Sequence, residues 1–178
     1  MTPAGALLFA DESKARAYVM AAAAIPPASA DHVRRELRGL LMPGQTSLHF
    51  RSESDSRRRQ ILDLVERQGW SAHLIVALPK NQRDARDACL RHLVSLAAEL
   101  RSARLVLETD DSLVEQDKRL LYAASRAGLL HEAFDYRHMR RREEPCLWVP
   151  DAVAWCYARG GLWRSRVLRL VTSLATVG

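Results

Sequence analysis

A short apolar run, Ala6-Leu7-Leu8-Phe9-Ala10, stops on an acid, Asp11. A run of that length, rich in large apolar side chains, predicts a buried strand. An ionised carboxylate closing a buried strand is costly unless a positive charge meets it. The pattern recurs twice. Leu105-Val106-Leu107 runs straight into Glu108, and Asp151 lies inside the apolar stretch Leu147 to Trp155. Three acids on three buried elements point to one metal-binding centre, and oxygen ligands of this kind suit a hard divalent ion.

The remaining elements alternate around these three. A polar turn, Glu12 to Arg16, leads to a second strand beginning Tyr18-Val19-Met20-Ala21, and Pro26-Pro27 ends it because proline cannot continue a ladder. Asp31 is the expected N-cap of a helix with Val33, Leu37, Leu40 and Leu41 on one face, stopped by Pro43-Gly44. Ser52 or Ser54 caps a second helix carrying Ile61, Leu62 and Val65, which Gly69 ends. A strand from His73 to Leu78, closed by Pro79, precedes a helix over 84–101. A strand over Arg104 to Glu108 and a helix from Leu113 to Ala127, capped by Gly128, come next. Phe134 to Met139 reads as the last strand, and residues 145–158 as a helix stopped by Gly160-Gly161. The final stretch, 161–178, puts Trp163, Val167, Leu170, Val171 and Leu174 on one face of an amphipathic extension. The order predicts a single α/β domain over 1–178. Open α/β sheets carry their sites at strand ends, where Asp11 and Glu108 can meet.

Composition narrows the partners. Of 27 basic residues only three are lysine, and the net charge is +6. Guanidinium forks match phosphate geometry, which favours a polyanionic partner, although a bias toward arginine codons produces the same count. Three cysteines, Cys89, Cys146 and Cys156, form no Cys-x-x-Cys pair, which argues against a disulfide framework or thiolate zinc site and fits a reducing cytoplasm. The run Tyr18 to Ile25 is too short to span a bilayer and lacks the layout of a signal peptide, so no membrane role is expected. No Walker loop, dinucleotide fingerprint, nucleophile elbow or zinc-finger spacing is present.

Each candidate residue also has a plainer reading. Asp151 on a helix has only apolar same-face neighbours, Leu147, Trp148, Ala154 and Trp155, yet an acid just after Pro150 also suits a helix start. Asp110 and Asp111, after Glu108, read as a solvated loop, and Asp117 as an inward acid paired with an arginine. His49, between Leu48 and Phe50 with Glu53 close behind, can meet a phosphate, orient a water or shuttle a proton, or serve structure alone. Arg57 and Arg58, the strand-borne Arg137 and His138, and Arg140 just beyond them are candidates to line a phosphate-binding groove, or are solvated surface charge.

Asp11-Glu12-Ser13, Leu48-His49-Phe50, Leu107-Glu108 and Asp151-Ala152, in that order over roughly residues 6 to 160, resemble a bacterial family of uncharacterised domains with an RNase H-like fold. Members of that family open on a strand ending Asp-Glu-Ser-Gly; here Lys14 replaces the glycine, Glu108 stands where related folds carry Asp, and Pro150 precedes the last acid. The resemblance implies an RNase H-like mixed sheet of about five strands flanked by helices. It also implies phosphodiester hydrolysis by a two-metal mechanism with Mg²⁺ or Mn²⁺. Asp11 would bridge both ions, Glu108 and Asp151 would each favour one, and His49 or Glu53 would handle water or product release. DNA or RNA would be the substrate. A catalytically inactive module binding nucleic acid or protein, and a small-molecule phosphohydrolase, are the alternatives.

Overall fold

The computed structural model describes residues 4–14, 17–68, 70–78 and 81–178. Arg16, Gly69 and Pro79, expected in a turn and at the ends of two elements, lie outside the described residues.

Six strands form one mixed sheet in the order β5-β4-β1-β2-β3-β6. They are β1 (Leu7–Ser13), β2 (Tyr18–Ile25), β3 (Ser71–Ala77), β4 (Arg104–Glu108), β5 (Asp135–Met139) and β6 (Val171–Val177). The first three are antiparallel neighbours, while β4 joins β1, β5 joins β4 and β6 joins β3 in parallel. The helices are α1 (Ala30–Arg38), α2 (Asp55–Arg67), α3 (Gln82–Glu99), α4 (Val114–Arg126), α5 (Trp148–Arg159) and α6 (Gly161–Val167).

Strand alternation divides the core in two. Phe9, Val19, Ala21, Ala23, Ile25, Leu74 and Val106 face α1, α2 and α5. Leu8, Ala10, Met20, Ala22, Ala24, Ile75, Leu105 and Leu107 face α3 and α4. The central strand β2 is buried along its whole length, and its four consecutive alanines, Ala21 to Ala24, leave room for helices on both faces. Helix α5 packs directly on β1 and β2. Cys89, Cys146 and Cys156 are buried and unpaired. Among the described residues no helix is long and apolar enough to cross a membrane.

The structure departs from the sequence expectations in β1, which runs on through Glu12 and Ser13, at the C-terminus and in α1, and it settles one open alternative. The sheet has six strands rather than about five. The extra one comes from the C-terminal stretch, where only 161–167 is helical and 171–177 pairs with β3. Helix α1 ends at Arg38, so Leu40 and Leu41 follow it, and its N-cap is Ser29, with Asp31 in the first turn. Ser54, rather than Ser52, caps α2, accepting from the Arg57 amide at 3.3 Å.

Candidate active site

Asp11 shares the parity of Phe9 on β1, and Glu108 that of Val106 on β4, so both acids face the α5 side of the sheet. The parallel register pairs Ala10 with Leu107, and Asp11 and Glu108 follow one step on. Asp151 descends toward them from the first turn of α5. Pro150 belongs to that same first turn, where a missing N–H costs nothing and the helix needs no kink.

All three acids meet one side chain, Arg141. Its guanidinium lies 3.7 Å from Asp11 Oδ2, 3.6 Å from Glu108 Oε1 and 3.4 Å from Asp151 Oδ2. Its backbone amide also donates to Glu108 Oε1 at 3.3 Å, and its carbonyl accepts from the Trp148 indole N–H at 2.8 Å. The indole therefore fixes the segment that carries the cation. Asp151 Oδ2 further accepts from the Phe50 amide at 2.9 Å and stands 3.2 Å from His49 Nδ1. Arg141 Nη1 faces the same His49 nitrogen, so the imidazole accepts from Arg141 in one tautomer and donates to Asp151 in the other.

The electrostatics follow from crowding and burial. Burial pushes the Asp11 carboxyl well above the ordinary carboxylate range, and the charges of Asp151 and Glu12 push it further, against the pull of Arg141. Burial likewise raises Glu108, with Arg141 opposing. Glu108 Oε2 is buried without a hydrogen-bond partner. A buried, orphaned carboxylate oxygen in an all-oxygen donor set is what a hard cation satisfies. Among the described residues, however, no three His, Cys, Asp or Glu side chains stand close enough together to hold a metal ion. The acids are gathered about Arg141 instead, and its charge takes the place a divalent ion would need.

The centre forms the floor of a cleft of about 940 Å³. Lys14, Asp110, Asp111 and Ser112 line it from the segments that follow β1 and β4, and Arg51, Trp155, Arg159 and Trp163 from the 50–52 turn, α5 and α6. His49, Arg58 and Arg141 also line it. Asp110 is held at about 2 by the Ser112 hydroxyl and by Lys14, the latter 3.0 Å away.

The other sequence candidates stand elsewhere or are already engaged. Glu53 is buried beside Gln45 and Arg57 and does not line the cleft. Arg57 reaches the Leu40 carbonyl and Gln60. Arg58 donates to Asp55 and to the Phe50 and Arg51 carbonyls, and stacks 4.3 Å over Trp155, which braces the loop bearing His49. Arg137 pairs with Asp135 on the edge strand, and Arg140 with Asp111. His138 lies on the opposite face of the sheet, 2.9 Å from Asp117, which also takes both prongs of the buried Arg86 at 2.8 Å. Asp117 is thus the inward acid paired with an arginine. Arg86 in turn reaches Glu12, tying β1 to α3 and α4.

The residue that sequence reasoning missed is Arg141. It was hidden in the run Arg137 to Arg142, where position along the chain does not say which guanidinium turns inward. The signal available was its location: the segment joining β5 to α5 must cross the ends of β4 and β1.

No family model matches the chain, and no curated protein matches it. Solved structures do. A chain of the PCNA:RNase HII complex from Archaeoglobus fulgidus is similar with a TM-score of 0.56 at 15% identity, over 93% of this chain and 76% of that one. Bst-RNase HIII is matched as a point mutant (TM-score 0.44, 10% identity, 95% of this chain and 62% of that one). It is matched again in complex with Mn²⁺ (TM-score 0.40, 14% identity, 89% and 52%). The fold is RNase H-like: a mixed sheet flanked by helices, here with six strands.

Proposed function

We propose that the cleft is the active site of a divalent-metal-dependent nuclease that hydrolyses phosphodiester bonds of DNA or RNA. The observation that carries this reading is the gathering of Asp11, Glu108 and Asp151, from two strands and a helix, about one cation at the floor of an open cleft. Those three carboxylates would hold Mg²⁺ or Mn²⁺. Bound there, the ion would supply Lewis-acid stabilisation of the phosphodiester oxygens and would lower the pKa of a water.

The chain's own groups have separate tasks in this reading. The Phe50 amide and His49 orient Asp151 from the side. His49, half exposed beside the cleft, takes up or delivers a proton at Nε2, since Nδ1 is turned toward Asp151 and Arg141. Arg141 pairs with all three acids in the ion-free protein, and with Mg²⁺ or Mn²⁺ held by those carboxylates its guanidinium would be free to meet a substrate phosphate.

One observation favours a second reading, an inactive module that binds nucleic acid: the guanidinium of Arg141 already pairs with all three acids. A cleavage assay separates the two. Labelled single-stranded, duplex and hybrid oligonucleotides are incubated with Mg²⁺ or Mn²⁺. The nuclease reading expects cleavage that falls by at least roughly a hundredfold in Asp11→Asn and Asp151→Asn. Intact substrate with the native protein across both ions, or cleavage surviving both substitutions, rejects it.

A further inference from the structure

Two arginines of the cleft are uncommitted. Arg51 and Arg159 line it and are exposed. Among the described residues neither side chain has an ion pair or a hydrogen bond. Arg57, Arg58, Arg137 and Arg140 are each engaged by a carboxylate. A cleft guanidinium with no carboxylate of its own is available to a phosphate.

Arg159 shares α5 with Trp155, and Arg51 follows Phe50, whose ring packs on Trp155. Asp151, Trp155, Ala158 and Arg159 line the cleft at i, i+4, i+7 and i+8, so one face of α5 runs from the acid centre to Arg159. That face is ~12 Å long at the helical rise per residue, roughly three to four nucleotide rises of a stacked strand. Gly160 and Gly161, at φ 81° and 56°, then fold the chain back, a turn that residues with a Cβ rarely adopt. The turn sets Trp163 edge-to-face with Trp155, 5.9 Å between centroids, and Phe50 closes the cluster at 5.3 and 6.4 Å. Arg166 pins α6 to α2 through Glu66 at 2.6 Å. Among the described residues, the cleft-lining segments after β1 and β4 offer no free cation: Lys14 is taken by Asp110, and Asp111 by Arg140, both at 3.0 Å. Among the described residues, the cleft's uncommitted guanidinium groups and its aromatic surface therefore come from the same wall, built of the 50–52 turn, α5 and α6.

We propose that this wall takes one unpaired strand of nucleic acid, with phosphates on Arg51 and Arg159 and an unstacked base against Trp163. The proposal rests on the nuclease reading for what lies at the floor of the cleft. Stacking on an indole is tolerant of sequence because every base has a π face, so the substrate class is a single strand or a frayed end, read without base specificity.

Binding is measured by anisotropy with short labelled single strands and duplexes of equal length, in chelator so that nothing is cut. The double variant Arg51→Ala/Arg159→Ala is expected to weaken single-strand binding at least about tenfold and to flatten the log-affinity against log-salt slope by about 1.4, two contacts at ~0.7 each. Trp163→Leu is expected to cost roughly five- to tenfold on the single strand and less on the duplex, with Trp163→Phe restoring most of it. Arg91→Ala, which removes an exposed cation of α3, leaves binding unchanged. Native-like binding by the double variant, an equal loss in Arg91→Ala, or no single-strand binding by the native protein overturns the wall. Cleavage with Mn²⁺ is followed in parallel. Cleavage with binding indifferent to the wall rejects this proposal alone. Binding through the wall without cleavage rejects the nuclease reading alone.

Discussion

Arg141 Nη1 lies 3.4 Å from Asp151 Oδ2, across the junction between the edge strand β5 and the helix that carries the acid. Ten residues of chain leave the sheet, turn over the ends of β1 and β4, and return with a cation and an anion facing each other. The pair is therefore local in sequence, although the two acids it gathers, Asp11 and Glu108, are remote from it.

Removing that cation leaves buried carboxylates facing one another. Arg141→Ala is expected to lower the stability of the ion-free protein by about 1–3 kcal/mol, below the ~3–5 of a fully buried pair because Arg141 keeps a quarter of its side chain exposed. Millimolar Mn²⁺ should then raise the melting temperature of the variant by more than it raises the native one. Thermal melts with and without the ion measure both. An equal or smaller shift in the variant contradicts a competition between Arg141 and metal.

Asp11 gives a test through pH. Its folded-state pKa lies above the ordinary value of 3.8, first through burial and then through Asp151. The folded state thus holds this proton more tightly than the unfolded state does. The stability so gained is complete below pH 3.8 and is lost as pH rises through the folded value. Asp11→Asn does not titrate, so in chelator its melting temperature should gain on the native protein as pH rises above 3.8 and through the raised folded value. A constant gap across that range argues against a raised carboxyl.

Asp117 has the opposite sign. Burial alone would raise it, but hydrogen bonds from His138 and Arg86 hold it below the ordinary value. Its contribution is present above pH 3.8 and fades as pH falls through the depressed value. Asp117→Asn should destabilise by about 3–5 kcal/mol at neutral pH, because Arg86, 1% exposed, keeps its charge and loses its main partner. The variant's denaturant midpoint should fall less steeply than the native one as the solution is acidified below pH 4. Parallel acid profiles would show that the pair adds nothing.

The acids were legible in the sequence for a physical reason. Asp11 and Glu108 end apolar runs, and period-two alternation fixes the face each takes once its neighbours Phe9 and Val106 are buried. Asp151 stood out because everything at its helical spacing is apolar. Arg141 did not, because the turn at Arg140 to Glu144, closed by amides donating to the Arg140 carbonyl at 2.8 and 3.2 Å, decides which arginine points inward. Val167, Leu170, Val171 and Leu174 satisfy a helical spacing, and Val171, Ala175 and Val177 satisfy an alternating one. Pairing with β3 decides between them, and that partner is about a hundred residues away. His138 shows the converse: a basic run drew it toward a phosphate groove, and the pleat turned it to Asp117 on the other side.

The sixth strand also has a protective consequence. Ser71 to Ala77 is an almost wholly buried segment, and β6 supplies the hydrogen-bonding partner along its outer side. A chain trimmed before Val171 would leave that border open, with the unmet amides and carbonyls of a sticky apolar ribbon facing solvent. Such borders recruit other chains edge to edge. Shortened versions of this protein should therefore self-associate and precipitate, even where every residue of the cleft is retained.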